Sequence, residues 1–143
     1  QGSTCVITKI AASDPRAVAR VRIFWNRLAG RVVVMTPERH DRLIAQVSHL
    51  PHVLAFCLVD ATSSDALAMA PRSFLEATRV AKSDPELWGA ILRDNRAAIL
   101  QALGAFERRC HRMRQALDRG PSRRLARFLH HAHAIRWSIE KSF

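Results

Sequence analysis

The hydrophobic pattern of the chain begins with the period of strands and then turns helical. In Thr4 to Ile10, "TCVITKI", β-branched residues crowd a short run, which predicts a strand. Ser13-Asp14-Pro15 then starts a helix, with its proline near the first helical position. Val18, Val21, Trp25 and Leu28 recur at helical spacing and make one apolar face. Gly30 is expected to close that helix as a left-handed cap. A second short strand follows at Arg31 to Met35, "RVVVM".

From Thr36 the pattern is helical throughout. Thr36 caps a helix and Pro37 suits its first turn. Its apolar positions are Leu43, Val47, Leu50, Leu54 and Cys57, and Pro51 inside it predicts a kink. Residues 61–76 mix turn formers with a short helical piece and read as irregular. One long helix is expected from Pro85 to about Arg119, with Trp88, Leu92, Ile99, Leu103, Phe106, Cys110, Met113 and Leu117 as its stripe. At 1.5 Å per residue it would span roughly 50 Å, more than a small domain needs, which suggests packing on a second subunit. Gly120-Pro121 ends it, and a last helix covers about 122–141. The order is strand–helix–strand, then helices only. A lone strand pair is marginal in water, so the opening reads as the tail of an α/β domain joined to an all-helical one.

Composition narrows the class. The chain has 143 residues, 48% hydrophobic and 24% charged, which fits a soluble globular fold. No uninterrupted apolar run approaches the ~20 residues of a membrane span, and no secretory signal pattern opens the chain. Cys5, Cys57 and Cys110 are odd in number and far apart, which fits buried thiols in a reducing compartment. The net charge is +11, and the last 43 residues hold 10 Lys+Arg against 3 Asp+Glu. That skew permits acidic partners or nucleic acid. The arginine-rich tail has few interleaved aromatics and no nucleic-acid motif, so a solvated face or subunit contact is the expected reading.

Three constellations could carry chemistry. In "ERHDRLIAQVSHLPHVLAF", His40, Ser48 and His52 are spaced by multiples of four along one helix face, with Ser48 and His52 adjacent and His49 facing elsewhere. They are either solvated or core-satisfied histidines, or a hydrogen-bonding wall of a polar pocket. In "ATRVAKSDPELW", Arg79, Ser83 and Trp88 surround a helix N-terminus, whose free N–H groups and partial charge favour anions. A cap with a surface arginine and a carboxylate site explain that stretch equally well. His130, His131 and His133 in "HHAH" lack a carboxylate or cysteine at ligand spacing, so no metal is expected. The five glycines form no G-x-G-x-x-G, so a dinucleotide fingerprint is absent.

Three stretches together resemble the prephenate/arogenate dehydrogenase family: "CVIT…DP", "RVVVMTPERHDRLIAQVSHLPHVLAFCLVD" and "FLEATRVAKSDPELWGAILRDNRAAI". The resemblance covers nearly the whole chain and weakens after about residue 105. It implies a mainly α fold, in which residues 1–36 are the end of a Rossmann nucleotide-binding domain. Residues 37–143 would be a helical dimerisation and substrate-site domain like the C-terminal domain of 6-phosphogluconate dehydrogenase. The implied activity is the NAD- or NADP-dependent oxidative decarboxylation of tyrosine biosynthesis, in the cytoplasm and as a homodimer. By the family motif Arg79 pairs with a substrate carboxylate, His52 and Ser48 line the pocket near the ring, and Ser83 and Trp88 close it. The family's catalytic histidine stretch, "H-P-M-x-G", does not occur in this chain. Catalysis and cofactor binding by this chain alone are therefore not expected. Where the family has a glycine-rich "G-G-G-F", this chain has "PRSF", Pro71 to Phe74. The alternative is a stand-alone, non-catalytic helical dimer that binds a small carboxylate or a protein partner. Membrane and nucleic-acid partners are not expected.

Overall fold

The computed structural model describes residues 3–118, 120 and 123–140. The expected features at Arg119, Pro121, residue 122 and residue 141 lie outside them. Strand β1 (Thr4–Thr8), helix α1 (Pro15–Asn26) and strand β2 (Arg31–Met35) come first, and the strands pair as a two-stranded parallel sheet. Helices follow: α2 (Pro37–Ile44), a π-helical turn (Ala45–His49), α3 (Leu50–Asp60), α4 (Ser64–Ala68) and α5 (Arg72–Ala77). A 3-10 turn (Arg79–Lys82), α6 (Pro85–Asp94), α7 (Arg96–Asp118) and α8 (Arg123–Glu140) complete the order. Contacts divide the chain into two compact units, residues 35–103 and residues 1–34 with 104–143.

In the second of these units α1 starts where Asp14 caps it, its carboxylate oxygens accepting from the N–H groups of Arg16 and Ala17 at 3.0 and 3.3 Å. The helix does not end on a left-handed glycine. Gly120 is the described glycine with positive φ, at 71°. After Asn26 the chain unwinds through Arg27, whose N–H bonds back to Phe24, and the N–H of Gly30 is taken by the Ser3 carbonyl at 3.0 Å. That bond draws Gly30 towards the sheet and removes the need for a left-handed turn. The apolar face of α1 is uncovered in this chain, with Trp25 41% and Leu28 63% exposed. Helix α8 exposes Trp137 and Leu129 in the same way.

The unit 35–103 holds the core. Ala45, Ile99 and Ala102 are buried, and Leu50, Val53, Leu92 and Ala98 pack on them. The stripe expected on a uniform helix does not describe it, because Val47 and Leu43 are exposed while Ala45 and Ala55 are buried. Pro51 is the reason. A proline cannot donate to the carbonyl four residues back, and here the preceding residues widen into a π turn in which the Leu50 N–H reaches the Ala45 carbonyl. The extra residue in that turn rotates every later side chain relative to a 3.6-residue period, and the expected kink becomes a bulge.

Taken with its bulge, Pro37–Asp60 is a continuous helical stretch of 24 residues, long and apolar enough by composition to cross a membrane. Polar positions interrupt it, so it is not a continuous apolar run. In the fold its Ala45 and Ala55 are buried by protein, and α3 packs on the 3-10 turn 79–82.

Two further differences concern helix ends. Residues 61–76 are largely helical, with Ser63 capping α4 and Pro71 standing at the N-cap of α5, so "PRSF" opens a helix. The single helix expected from Pro85 is two, broken at Asn95, and α7 with its 23 residues spans about 35 Å.

Candidate functional site

The site is built on three short-range features of the unit 35–103. The first is the start of α6. Asp84 caps it, its Oδ1 accepting from the Leu87 N–H at 2.8 Å, and Pro85 fills the first turn. Because Asp84 does the capping, the hydroxyl of the half-buried Ser83 is not used by the helix. One turn in, Trp88 lies half-buried.

The second is the π turn, which carries Ser48 and His49 and leads directly to His52. The His52 ring lies on the Trp88 indole, with centroids 3.5 Å apart and planes 17° from parallel. His52 Nδ1 is 3.0 Å from the Ser48 carbonyl. A carbonyl oxygen only accepts, so Nδ1 carries the proton, and neutral His52 keeps Nε2 as a free acceptor. The role of Ser48 in this geometry is thus played by its backbone oxygen.

His49 also meets Trp88, edge to face at 6.0 Å and 83°, which corrects the expectation that it faces elsewhere. Its position is fixed from across the unit. The Asn95 amide nitrogen is 2.8 Å from the Asp41 carbonyl and 3.2 Å from His49 Nδ1. The carbonyl can only accept, so that atom is the NH₂ group, and its second hydrogen points at His49 Nδ1. His49 therefore holds its proton on Nε2. Burial lowers its pKa, the nearby His52 lowers it further, and Asp41 opposes them in part.

The third feature is the 3-10 turn that packs on α3. It is anchored by Thr78, which is 6% exposed and donates its hydroxyl to the Phe74 carbonyl at 2.7 Å. The next residue, Arg79, is exposed. The ion pairs among the described residues are His40–Asp41, Arg72–Glu76 and Arg136–Glu140, so its guanidinium is not matched by any of them. An unpaired arginine on a pinned turn is free to take a carboxylate through its planar fork.

Of the five residues expected at the site, the structure joins His52, Trp88 and Ser48 directly. Arg79 and Ser83 begin and follow the turn that packs on the His52 helix. His49, Asn95 and Asp41 were missed. The signal for Asn95 was present: an asparagine inside a long helical pattern is a poor helix former and competes for backbone partners.

The described residues carry no G-x-G-x-x-G, and the first N–H groups of α1 are taken by the Asp14 carboxylate.

Residues 36–131 match the family model of the prephenate dehydrogenase dimerization domain. The chain belongs to this family. Cyclohexadienyl dehydrogenase of Zymomonas mobilis is 33% identical over 124 residues, covering 82% of this chain and 42% of that protein. Prephenate dehydrogenase of Bacillus subtilis is 28% identical over 129 residues, covering 86% of this chain and 35% of that one. Among solved structures, prephenate dehydrogenase of A. aeolicus in complex with hydroxyphenyl propionate and NAD+ superposes with a TM-score of 0.87 at 30% identity, covering 97% of this chain and 51% of that one. Synechocystis arogenate dehydrogenase shares the fold, with a TM-score of 0.85 at 24% identity over 95% of this chain and 52% of that one. The chain spans about half the length, or less, of these relatives.

Proposed function

We propose that this chain supplies the substrate-site and dimerisation half of an enzyme that carries out the NAD- or NADP-dependent oxidative decarboxylation of prephenate or arogenate. The observation that carries this reading is the stacked His52–Trp88 pair, with Nδ1 of His52 locked on the Ser48 carbonyl. The stack offers a flat apolar wall and one oriented acceptor, Nε2, to a small ring bearing a hydroxyl. Arg79 supplies the cation for a ring or side-chain carboxylate, and Ser83 a free hydroxyl beside it. The chain's own work is to bind, orient and exclude water. The bound nicotinamide would supply the hydride chemistry from residues outside those described.

The unit of residues 1–34 with 104–143 is suited to a homodimer. Exposed apolar side chains on α1 and α8, Phe24, Trp25, Leu129 and Trp137 among them, form surface that a partner would cover. Cys57 and Cys110 are exposed, not buried as the sequence led one to expect, and with Cys5 they are free thiols, which suits the cytoplasm.

Isothermal titration of the purified chain with prephenate, arogenate and 4-hydroxyphenylpropionate tests the reading. Saturable binding of at least one of them, weakened tenfold or more by His52→Ala, is the expected result. Absence of binding for all three would overturn it.

A further inference from the structure

Helix α6 meets the π turn through one face. Trp88 and Leu92 in the helix and Asn95 at its C-cap stand at i, i+4 and i+7, so they share a side. Trp88 contacts both His49 and His52, and Leu92 packs on the buried cluster that includes Ala45. Asn95 reaches His49 and the Asp41 carbonyl. His49 is therefore touched from both ends of this face. Asn95 is the polar member of the three, and a lone polar residue in an apolar seam sets its register.

The His52–Trp88 stack depends on such a device. Centroids 3.5 Å apart leave little lateral offset, an arrangement that ring quadrupoles alone do not favour. On one side the Ser48 carbonyl holds His52. On the other, the indole meets the His49 ring at 83°. His49 is in turn kept from rotating by the Asn95 amide, 3.2 Å from its Nδ1, and that amide is anchored 2.8 Å from the Asp41 carbonyl. The same carbonyl accepts the Ala45 N–H, so Asn95 takes its second lone pair. Orientation thus passes from the end of α2 through Asn95 and His49 to Trp88, and from Trp88 to His52.

We propose that His49 and Asn95 are positioning residues for the ring-binding site: they hold the Trp88 indole flat on His52 and so keep His52 Nε2 aimed at the ligand. The proposal rests on the substrate reading above and adds two residues that act on the ligand through Trp88. A wall ordered before the ligand arrives spares binding the entropy of ordering it, so the effect falls on affinity.

Histidine-ring NMR of the full chain, with calorimetry against 4-hydroxyphenylpropionate, tests it. In the unaltered chain the ring nitrogens of His49 should show the proton on Nε2, and those of His52 the proton on Nδ1. Asn95→Leu keeps the seam apolar and removes both hydrogen bonds. It should move the His52 ring protons downfield, out of the indole ring current, and weaken the ligand roughly fivefold. His49→Gln keeps an acceptor for Asn95 and drops the ring, so it repeats the test with the hydrogen bond between the two segments intact, and the same two changes are expected. Far-UV circular dichroism melts establish that each variant is folded. A proton on Nδ1 of His49 in the unaltered chain would overturn the proposal. So would unchanged His52 shifts in both folded variants, or altered shifts with unchanged affinity, which would make the pair a packing feature only. If the unaltered chain binds no ligand, the substrate reading fails by itself, and the His52 shifts still decide whether the pair positions the stack.

Discussion

The imidazole of His52 and the indole of Trp88 lie face to face at 3.5 Å, and this one contact links the π-bulged helix to the start of α6. Neither ring is fully buried, so the stack is both a packing contact and accessible surface. Trp88→Ala removes the wall and leaves His52 held by the Ser48 carbonyl alone. For a half-buried tryptophan the loss is expected at about 1–3 kcal/mol, below the 3–5 kcal/mol of a fully buried aromatic. Trp88→Phe should recover most of it. Urea unfolding of the three proteins, with slopes compared, measures the difference. Indistinguishable midpoints would mean the stack contributes nothing.

The burial of His49 makes it pH-sensitive in a defined direction. Burial and the neighbouring His52 depress its folded pKa below the ordinary 6.5. The unfolded chain therefore binds a proton that the folded one refuses, in the window between the depressed value and 6.5. The resulting stability is fully present above pH 6.5 and is lost as the pH falls through the folded pKa. A urea midpoint measured at pH 7.5 and pH 5.5 should drop more for the unaltered chain than for His49→Gln. Equal drops would remove His49 from the pH dependence.

Asn95→Asp turns that logic around. A carboxylate in place of the amide can no longer donate to Nδ1 and instead favours a protonated ring. The His49 pKa is expected to rise above 6.5, giving stability that is present at low pH and lost as pH rises through the folded value. The same variant loses the bond to the Asp41 carbonyl, so its stability at pH 7.5 should fall by about 1 kcal/mol. NMR titration of the His49 ring protons reads the pKa directly. A value at or below that of the unaltered chain contradicts the tautomer assignment.

These four residues, His52, Trp88, His49 and Asn95, also mark where sequence reasoning succeeded and where it failed. The strand–helix–strand start, the helical remainder and the capping signals at Asp14, Thr36 and Pro85 were legible, because caps and periods are local. Trp88 and His52 were legible as candidates through a motif, and the period placed His52 beside Ser48. The π turn was not legible. Pro51 announces that one bond is missing, but whether a helix kinks or bulges depends on what packs on it. The bulge then moved burial from Val47 to Ala45 and brought His49 onto Trp88. Asn95 was hidden for a related reason: its partners, Asp41 and His49, lie 54 and 46 residues away in sequence.

Arg79 separates binding from folding. It is exposed on a turn held by Thr78, and none of the ion pairs among the described residues is its own, so Arg79→Ala should leave the urea midpoint within about 0.5 kcal/mol of the unaltered chain. A charge-assisted bond to a carboxylate contributes about 1.5–3 kcal/mol, so the affinity for prephenate should fall roughly 10- to 150-fold. Arg79→Lys keeps the charge and loses the planar fork, and its affinity should lie between the two. A neutral ring compound such as 4-ethylphenol, which lacks the carboxylate, should bind all three proteins alike. If Arg79→Ala bound prephenate as tightly as the unaltered chain, the carboxylate would have to be held elsewhere in the unit, and Ser83 with the N–H groups around it would be the next place to look.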